Sequence, residues 1–401
     1  MGERSMARAG SRVKHRIWPS TLRMGIALVL LVSSASAKEE LCSLRRPVCV
    51  AVSSRGEQMA ARESLRFVEN WWDYGPNGVL PMRAIGDRRL HVVLSAGMTR
   101  DEVRPTRVYD SGGYRSCDVE LTFDPSNVDF EARLAALFSE SMHRMRNPAA
   151  SDASLRAASM VLSEELTVRR LPREVAPSDP ARSPLVHGSA GQRSVLEEDA
   201  KFYRPLWHWY RHEIAKHPMP LAALFSMSGS TLPGGEPDVW DVLKASHRGD
   251  YGQGSGWDEL YLRYALARAS EKSAPVRWSV EWPKSARKLT TFEGLDPLGW
   301  VAIDVATAQR KKDAGLRIEI DWEESANMRW GLVKLDGAGR SIGTNVMPVV
   351  PRSAQAAWSF AELGDAATLR IVGTFTSEWA VPIDEEESWT PRGWVVSIVE
   401  E

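Results

Sequence analysis

One segment of the sequence has residue types and a spacing that could support metal-dependent hydrolysis. Ser139-Glu140-Ser141-Met142-His143 differs at one position from His-Glu-x-x-His, the helical motif of zinc peptidases. In that motif two imidazoles four residues apart bind one zinc ion, and the glutamate is the general base for the metal-bound water. A further ligand is commonly a glutamate on the next helix, about 20 residues later, and Glu164 lies 21 residues after His143. The sequence therefore offers His143 and Glu164 as metal ligands and Glu140 as a general base.

The first ligand position of the motif is occupied by Ser139, whose neutral hydroxyl is a poor zinc donor. His143 and Glu164 alone fall short of the three protein ligands that usually hold a catalytic zinc. Without firmly bound metal the pKa of a water is not lowered, and Glu140 has nothing to activate. The sequence thus predicts that zinc catalysis is lost. The alternative is a working hydrolase with an altered metal site, in which Asp152 or another carboxylate replaces the missing ligand.

The same residues also have ordinary structural interpretations. His143 could be a hydrogen-bonded histidine on a core-facing helix. Glu140 could pair with Arg144 at i+4 on a solvated face. Glu164-Glu165 precede Arg169-Arg170, an arrangement that suits salt pairs on a helix surface.

A second histidine cluster follows later in the chain. His208 and His212 have the i, i+4 spacing that would allow them to share a metal ion, and His212-Glu213 begins another partial match to the zinc motif. The motif requires a histidine at position 216, where Lys216 stands instead. His217 is one position late, which turns its imidazole by about 100° around the helix. We interpret this second match as accidental.

The motif helix is expected within a set of helices and short strands. Apolar periodicity predicts helices over residues 56–73, 129–146 and 152–171, and short strands over residues 90–94 and 119–123. The stretch 172–194 has no clear period and is predicted to be a long surface loop. Further helices are predicted over 196–217, 219–227, 237–247 and 256–270. We therefore predict an α+β domain over residues 38–273.

From about residue 274 the pattern changes from helical to alternating. Leu316–Trp322 alternates strictly with period two, and Gly and Pro residues separate the other short apolar segments. These segments are 300–306, 328–334, 369–374 and 394–399. The pattern predicts an all-β sandwich domain over residues 275–401, with the domain boundary near 272–276.

The first 37 residues have the pattern of a signal peptide. A basic segment is followed by the apolar run Met24–Val32 and by Ala35-Ser36-Ala37, a small-x-small cleavage site. No apolar run reaches the roughly 18–20 residues of a membrane-spanning helix. We expect cleavage after Ala37 and a secreted or periplasmic protein, with an uncleaved interfacial anchor as the alternative.

Composition and charge restrict the possible partners. Hydrophobic residues make up 43% of the chain and charged residues 26%, which predicts a folded protein with a substantial core. The net charge of −1 becomes −6 once residues 1–37, with six basic side chains and Glu3, are removed. Nucleic acid is therefore not an expected partner.

In an oxidising compartment Cys42, Cys49 and Cys117 would provide one disulfide and one spare thiol, and the spacing does not decide the pairing.

The order of these features resembles secreted, myxobacterial-type zinc metallopeptidases of the gluzincin kind. The resemblance extends over most of the chain after residue 37. It comprises a helix ending in Trp71-Trp72, two strands, the motif helix, the helix with Ser163–Thr167, an aromatic-rich helix with Phe202–Trp207 and a C-terminal β-sandwich. The resemblance implies a metallopeptidase fold, zinc as the cofactor and a peptide or protein as the substrate or ligand.

Carried over to this chain, the family pattern makes Glu140 the general base, His143 the second imidazole ligand and Glu164 the carboxylate ligand. Ser139 departs from the pattern at the first imidazole, so the resemblance implies a metallopeptidase-like protein that is catalytically inactive. Such a protein would keep a binding or structural role in the cell envelope.

Two features of the C-terminal region suggest other ligands. The tryptophans there could bind glycans if several rings were exposed on one face, although their positions within apolar alternation favour core packing. These are Trp278, Trp282, Trp300, Trp322, Trp330, Trp358, Trp379, Trp389 and Trp394. Asp384–Glu387 could bind calcium, but an acidic loop near a chain end is usually only solvated.

Overall fold

The computed structural model of the chain describes most of residues 39–401. The described ranges are 39–52, 55–74, 87–98, 101–111, 114–126, 129–146, 148, 152–164, 166–167, 179–183, 196–214, 256–290, 293–311, 313–350, 352–378 and 389–401. The predicted signal peptide, most of the predicted loop 172–194 and the helices predicted over 219–227 and 237–247 lie outside these ranges. Within them, no helix is both long enough and apolar enough to cross a membrane.

The N-terminal region contains a five-stranded mixed sheet. Its strands are β1 (Glu39–Cys42), β2 (Val48–Val52), β3 (Leu90–Leu94), β4 (Glu102–Ser111) and β5 (Tyr114–Phe123), in the spatial order β1-β2-β3-β5-β4. The three central strands are parallel, and β1 and β4 are antiparallel edge strands. Buried residues alternate with half-buried ones along β2 and β3, so the two faces of the sheet differ in burial.

Two helices pack against this sheet. A short 3₁₀ turn (Arg55–Glu57) leads into α1 (Gln58–Tyr74), and α2 (Phe130–Arg146) follows β5. Both helices share one hydrophobic core with the strands. In this core the ring of Trp71 stacks 5.5 Å from that of Phe67 and lies 5.7 Å from that of Phe138. The helix that bears the zinc-like motif is thus joined to α1 by aromatic packing.

A second group of helices includes α3 (Asp152–Ser163), which packs against α2. Its other members are α4 (Leu196–Trp209), a π-helical turn (Tyr210–Ile214) and α5 (Trp257–Ala269). They share a core of their own. Trp207 donates its indole N–H to Ser154 Oγ at 3.2 Å, and Trp209 lies 5.7 Å from Tyr264 between ring centres. These contacts connect α4 to α3 on one side and to α5 on the other.

The C-terminal region is built from two β-sheets. One has the order β11-β10-β13-β8-β6 and the other β12-β9-β14-β7. Buried side chains from both sheets form one hydrophobic core, as in a β-sandwich. The strands are β6 (Trp278–Val280), β7 (Arg287–Thr290), β8 (Gly299–Ala306), β9 (Leu316–Trp322), β10 (Ala326–Leu335), β11 (Ser341–Met347), β12 (Gln355–Phe360), β13 (Thr368–Glu378) and β14 (Trp394–Glu400).

The helix α5 packs against the other members of the helical group on one face and against the first of these sheets on the other. Leu262 and Leu266 on α5 pack with Trp300, Val333 and Val372 of the sheet. Side chains on its other face belong to the core of the helical group. Because both faces are covered, α5 has buried residues around most of its circumference.

Several predicted elements are confirmed to the residue. The strands predicted over 90–94 and 316–322 match β3 and β9, and the helix predicted over 129–146 begins one residue later. The helix predicted over 152–171 ends at Ser163. Residues 38–401 form one compact unit, and the domain boundary near 272–276 stays a prediction.

Most tryptophans of the C-terminal region lie in its core. Trp330 is fully buried, and its ring lies 5.7 Å from that of Trp394 at a steep angle. Trp282, Trp300, Trp322 and Trp389 are buried, Trp278 and Trp358 are partly buried, and Trp379 lies outside the described residues. Core packing, the favoured interpretation of these residues, is confirmed for most of them.

The structure decides the disulfide pairing, which the spacing of the three cysteines left open. Cys42 and Cys49 form a disulfide between β1 and β2. Cys117 is free and buried on β5, and its thiol donates a hydrogen bond to the carbonyl of Arg144 at 3.0 Å. Burial raises the pKa of the Cys117 thiol to about 12.

We predict that the folded, unreduced protein does not react with a thiol reagent at neutral pH, because the Cys117 thiol is buried and protonated. Unfolding in denaturant without reductant should expose a single reactive thiol, measured by alkylation and mass spectrometry. Additional reactive thiols under those conditions would contradict the Cys42–Cys49 disulfide.

The core of the sandwich also depends on a close approach between two neighbouring strands. Gly373 on β13 pairs with Trp330 on β10, and a Cβ at position 373 would lie 2.7 Å from Cε3 of the indole. We predict that Gly373→Ala lowers the free energy of unfolding by about 1–3 kcal/mol through overpacking. Gly337→Ala is the matched control, since a Cβ at position 337 has no neighbour within 4 Å. Equal urea-unfolding midpoints for the two variants would contradict this account of the core.

Candidate functional site

The motif on α2 is buried. Ser139, Glu140 and His143 have exposed fractions of 0%, 1% and 1%. The reason is the position of α2, which packs against the sheet on one side and against α3 on the other. A substrate in solution therefore does not reach Glu140 in this structure.

The carboxylate of Glu140 is held by two arginines. Oε1 accepts a hydrogen bond from Nε of Arg144 at 3.1 Å, and Oε2 accepts one from Nε of Arg156 at 2.9 Å. Arg156 belongs to α3 and also donates through Nη2 to Oε1 at 3.5 Å. The pairing of Glu140 with Arg144 is thus confirmed, but it lies in the protein interior rather than on a solvated face. Two guanidinium groups offset the cost of burying one carboxylate.

The residues around Glu140 do not assemble a zinc site. The Ser139 hydroxyl has no hydrogen-bond partner among the described residues, and it supplies no anionic or imidazole donor. Groups of three candidate metal ligands lie close together at two places in the described part of the chain, and neither includes Glu140 or His143. The motif residues therefore do not fit the three-ligand set that a zinc ion needs.

One of the two groups is not available to a metal. It consists of Glu40, Cys42 and Cys49, and the two sulfur atoms are joined in the disulfide. Cysteine binds metal as a thiolate, so Cys42 and Cys49 supply no metal ligand while they are joined in the disulfide.

The other group contains Glu164, His208 and His212. One potential ligand atom from each lies within 4.8 Å of the others. Oε2 of Glu164 is 3.9 Å from Nε2 of His208, and the two imidazole centres are 4.3 Å apart. The i, i+4 spacing of His208 and His212 is visible in the sequence, whereas no local pattern in the sequence places Glu164 beside them.

The backbone around Glu164 is well fixed. Glu164 follows the last residue of α3, and its N–H donates to the carbonyl of Val161 at 3.3 Å. The N–H of Leu166 donates to the carbonyl of Ser163 at 2.9 Å, and the indole of Trp71 donates to the carbonyl of Leu166 at 3.0 Å. The turn that presents Glu164 is therefore tied to both α3 and α1.

Some predicted site residues cannot be placed. The side chain of Asp152 and the residues Glu165, His217 and Asp384–Glu387 lie outside the described part of the structure. The alternative in which Asp152 replaces the missing zinc ligand, and the possible calcium loop, therefore stay predictions.

Comparisons with known proteins give no family. No protein-family model matches the chain, and no curated protein matches it significantly. Among solved structures, the pre-peptidase C-terminal domain of collagenase from Bacillus anthracis is 9% identical, with a TM-score of 0.19 over 31% of this chain and 97% of that one. CorA, a surface-associated copper-binding protein of Methylomicrobium album BG8, is 10% identical, with a TM-score of 0.20 over 31% and 98%.

Dimeric latent PorU from Porphyromonas gingivalis is 9% identical, with a TM-score of 0.17 over 32% of this chain and 14% of that one. At TM-scores of 0.20 and below, these similarities support no inference about this protein.

We predict that Glu140→Gln lowers the free energy of unfolding by about 3–5 kcal/mol, because it removes the buried negative charge that both Arg144 and Arg156 contact. Chemical denaturation measures the effect. Glu259→Gln is the control, since its partner Arg263 is largely exposed and the loss should stay below about 1 kcal/mol. If Glu140→Gln is as stable as the unsubstituted protein, Glu140 has no structural role of this kind.

Proposed function

We propose that this is an exported protein of metallopeptidase-like ancestry that has no peptidase activity at the α2 motif. It acts in the cell envelope through a binding or structural role, with a peptide or protein as its ligand. The arrangement of Glu140 is the observation that supports this proposal most directly.

A general base must reach a water that is positioned to attack the substrate. Glu140 is 1% exposed, and both of its carboxylate oxygens accept hydrogen bonds from arginines. In this arrangement its negative charge stabilises the contact between α2 and α3. The side chain thus occupies the motif position of a catalytic base but has the surroundings of a structural ion pair.

The histidine of the motif supports the same conclusion. His143 is as buried as Glu140 and lies one helical turn from Ser139, where an active enzyme has its first imidazole ligand. A metal ion close enough for Glu140 to activate its water would lie near the guanidinium groups of Arg144 and Arg156, which contact Glu140 at 3.1 and 2.9 Å. Positive charges next to a cation site oppose metal binding.

The decisive variant is Ser139→His, which completes the motif His-Glu-x-x-His. We expect it to restore neither stoichiometric zinc at this motif nor peptidase activity, because Arg156 and Arg144 still hold Glu140. We also expect a loss of about 1–3 kcal/mol in the free energy of unfolding, since an imidazole is larger than the fully buried serine side chain.

The measurements are zinc content relative to that of the unsubstituted protein by elemental analysis, hydrolysis of a mixed peptide library, and chemical denaturation. Ser139→Ala is the control for loss of the hydroxyl without a new ligand, and it should stay inactive and near the stability of the unsubstituted chain. Peptidase activity in the unsubstituted protein that is lost in Glu140→Gln, although circular dichroism shows that the variant is folded, would overturn the proposal. So would zinc-dependent peptidase activity in Ser139→His.

A further inference from the structure

We infer that Glu164, His208 and His212 form a binding site for a divalent transition-metal ion of the zinc class. The site lies between the C-terminal turn of α3 and the junction of α4 with the π-helical turn. It uses neither Ser139, Glu140 nor His143, and it is independent of the proposed loss of peptidase activity.

The distances fit a metal site before the metal binds. Around a tetrahedral ion with bonds of about 2.0–2.2 Å, neighbouring ligand atoms are roughly 3.3–3.5 Å apart. The observed separation of 3.9 Å between Glu164 and His208, and the common limit of 4.8 Å for all three ligand atoms, are slightly larger. Small rotations of the side chains are enough to close the difference.

The donor types select the class of ion. Two imidazole nitrogens and one carboxylate oxygen suit zinc and its neighbours, whereas calcium and magnesium prefer sites made only of oxygen. Two histidines with one glutamate also form a ligand set of catalytic zinc sites, in which the fourth position is open to water. The site therefore has the composition that the α2 motif lacks.

The three side chains differ in exposure, which increases from Glu164 through His208 to His212. The side chain of Glu164 is 12% exposed, that of His208 is 26% exposed, and His212 lies at the surface. A metal ion can thus enter from the side of His212 and meet a carboxylate that is already largely desolvated. Partial burial strengthens the attraction between the carboxylate and a cation.

The supporting structure holds the ligands in place. The indole of Trp71 fixes the turn after Glu164 through the carbonyl of Leu166, and Trp207, next to His208, is fixed by Ser154. The π-helical turn begins between the two histidines, and π-helical turns are frequent at functional sites. Preorganised ligands reduce the loss of entropy on metal binding.

An ion pair between Glu164 and a protonated His208 would explain one of the short distances. The i, i+4 spacing of His208 and His212 brings the two imidazoles within 4.3 Å of each other, and this spacing lets both rings share one metal ion. A metal ion bound by both rings and the carboxylate is consistent with all three positions. The two alternatives differ in whether His212 is needed, and this difference decides the experiment.

The test is titration of the purified full chain, without a histidine tag and after treatment with a chelator, with Zn²⁺ in a calorimeter. Native mass spectrometry gives the stoichiometry. We expect one Zn²⁺ per chain, with no competition from millimolar Ca²⁺ or Mg²⁺. His208→Gln, His212→Gln and Glu164→Gln should each weaken binding by more than the ~10–100-fold that the loss of an outer-shell partner costs.

His91→Gln is the matched control. Nδ1 of His91 lies 3.4 Å from a carboxylate oxygen of Glu40, and among the described residues no second histidine joins this pair in a metal-ligand group. This variant should bind Zn²⁺ as the unsubstituted chain does. Because His212 is exposed, His212→Gln is expected to fold normally, and circular dichroism verifies this.

Binding of Co²⁺ in place of Zn²⁺ gives a second measurement, because the visible absorption of Co²⁺ reports its nitrogen and oxygen ligands. Side chains with a purely structural role would not give this absorption. The inference is overturned if the unsubstituted chain binds no Zn²⁺, or if folded His212→Gln binds it with unchanged affinity. Weak binding that is lost equally in His91→Gln would indicate adventitious surface binding and would also overturn it.

Discussion

A buried carboxylate between two helices is the constraint on which the centre of this structure depends. Glu140 on α2 is removed from water, and a charge in such a place is tolerated only with paired, hydrogen-bonded partners. Arg144 lies one turn further along the same helix, but Arg156 comes from α3, so satisfying Glu140 requires α3 to lie against α2 in a fixed register. The thiol of Cys117, which donates to the carbonyl of Arg144, ties this helix end to β5.

This register has a consequence for the chemistry available to the protein. With α3 held against α2, its C-terminal turn presents Glu164 toward α4, where the glutamate meets His208. The carboxylate that the zinc-peptidase pattern assigns to the motif is therefore engaged at a different place. Glu140, at the position of the catalytic base, is engaged in ion pairs, and the three proposed metal ligands lie further along the chain, after α3 and at the junction of α4 with the π-helical turn.

The sequence predicts what depends on local pattern and fails where distant residues meet. The strict alternation of apolar and polar residues predicted both ends of β9 correctly, and apolar periodicity predicted the ends of α2 within one residue. Both predictions succeed because burial on one face repeats with the period of the element. The pairing of Glu140 with Arg144 was predictable because i+4 neighbours share a helix face. No such rule relates Glu140 to Arg156 or Glu164 to His208, which meet only through the packing of separate helices.

Strand β4 contains Pro105 and several charged residues and has no clear alternation of apolar and polar residues, so the sequence does not predict it.

The C-terminal sheets are joined to the helices by more than a covalent connection. Arg370 on β13 pairs with both carboxylate oxygens of Asp304 on β8, at 2.6 and 2.9 Å, and donates a third hydrogen bond to the carbonyl of Ala269 at the end of α5. A guanidinium at this position satisfies a helix C-terminal carbonyl and interacts favourably with the helix dipole. Tyr261 of α5 donates its hydroxyl proton to the carbonyl of Leu298, just before β8.

Since α5 shares side-chain cores with both the helices and a sheet, the predicted boundary near 272–276 lies beside a continuous packed contact. Loosening the sandwich should therefore also disturb the helices that hold Glu164, His208 and His212, which makes the sheets a support for that site.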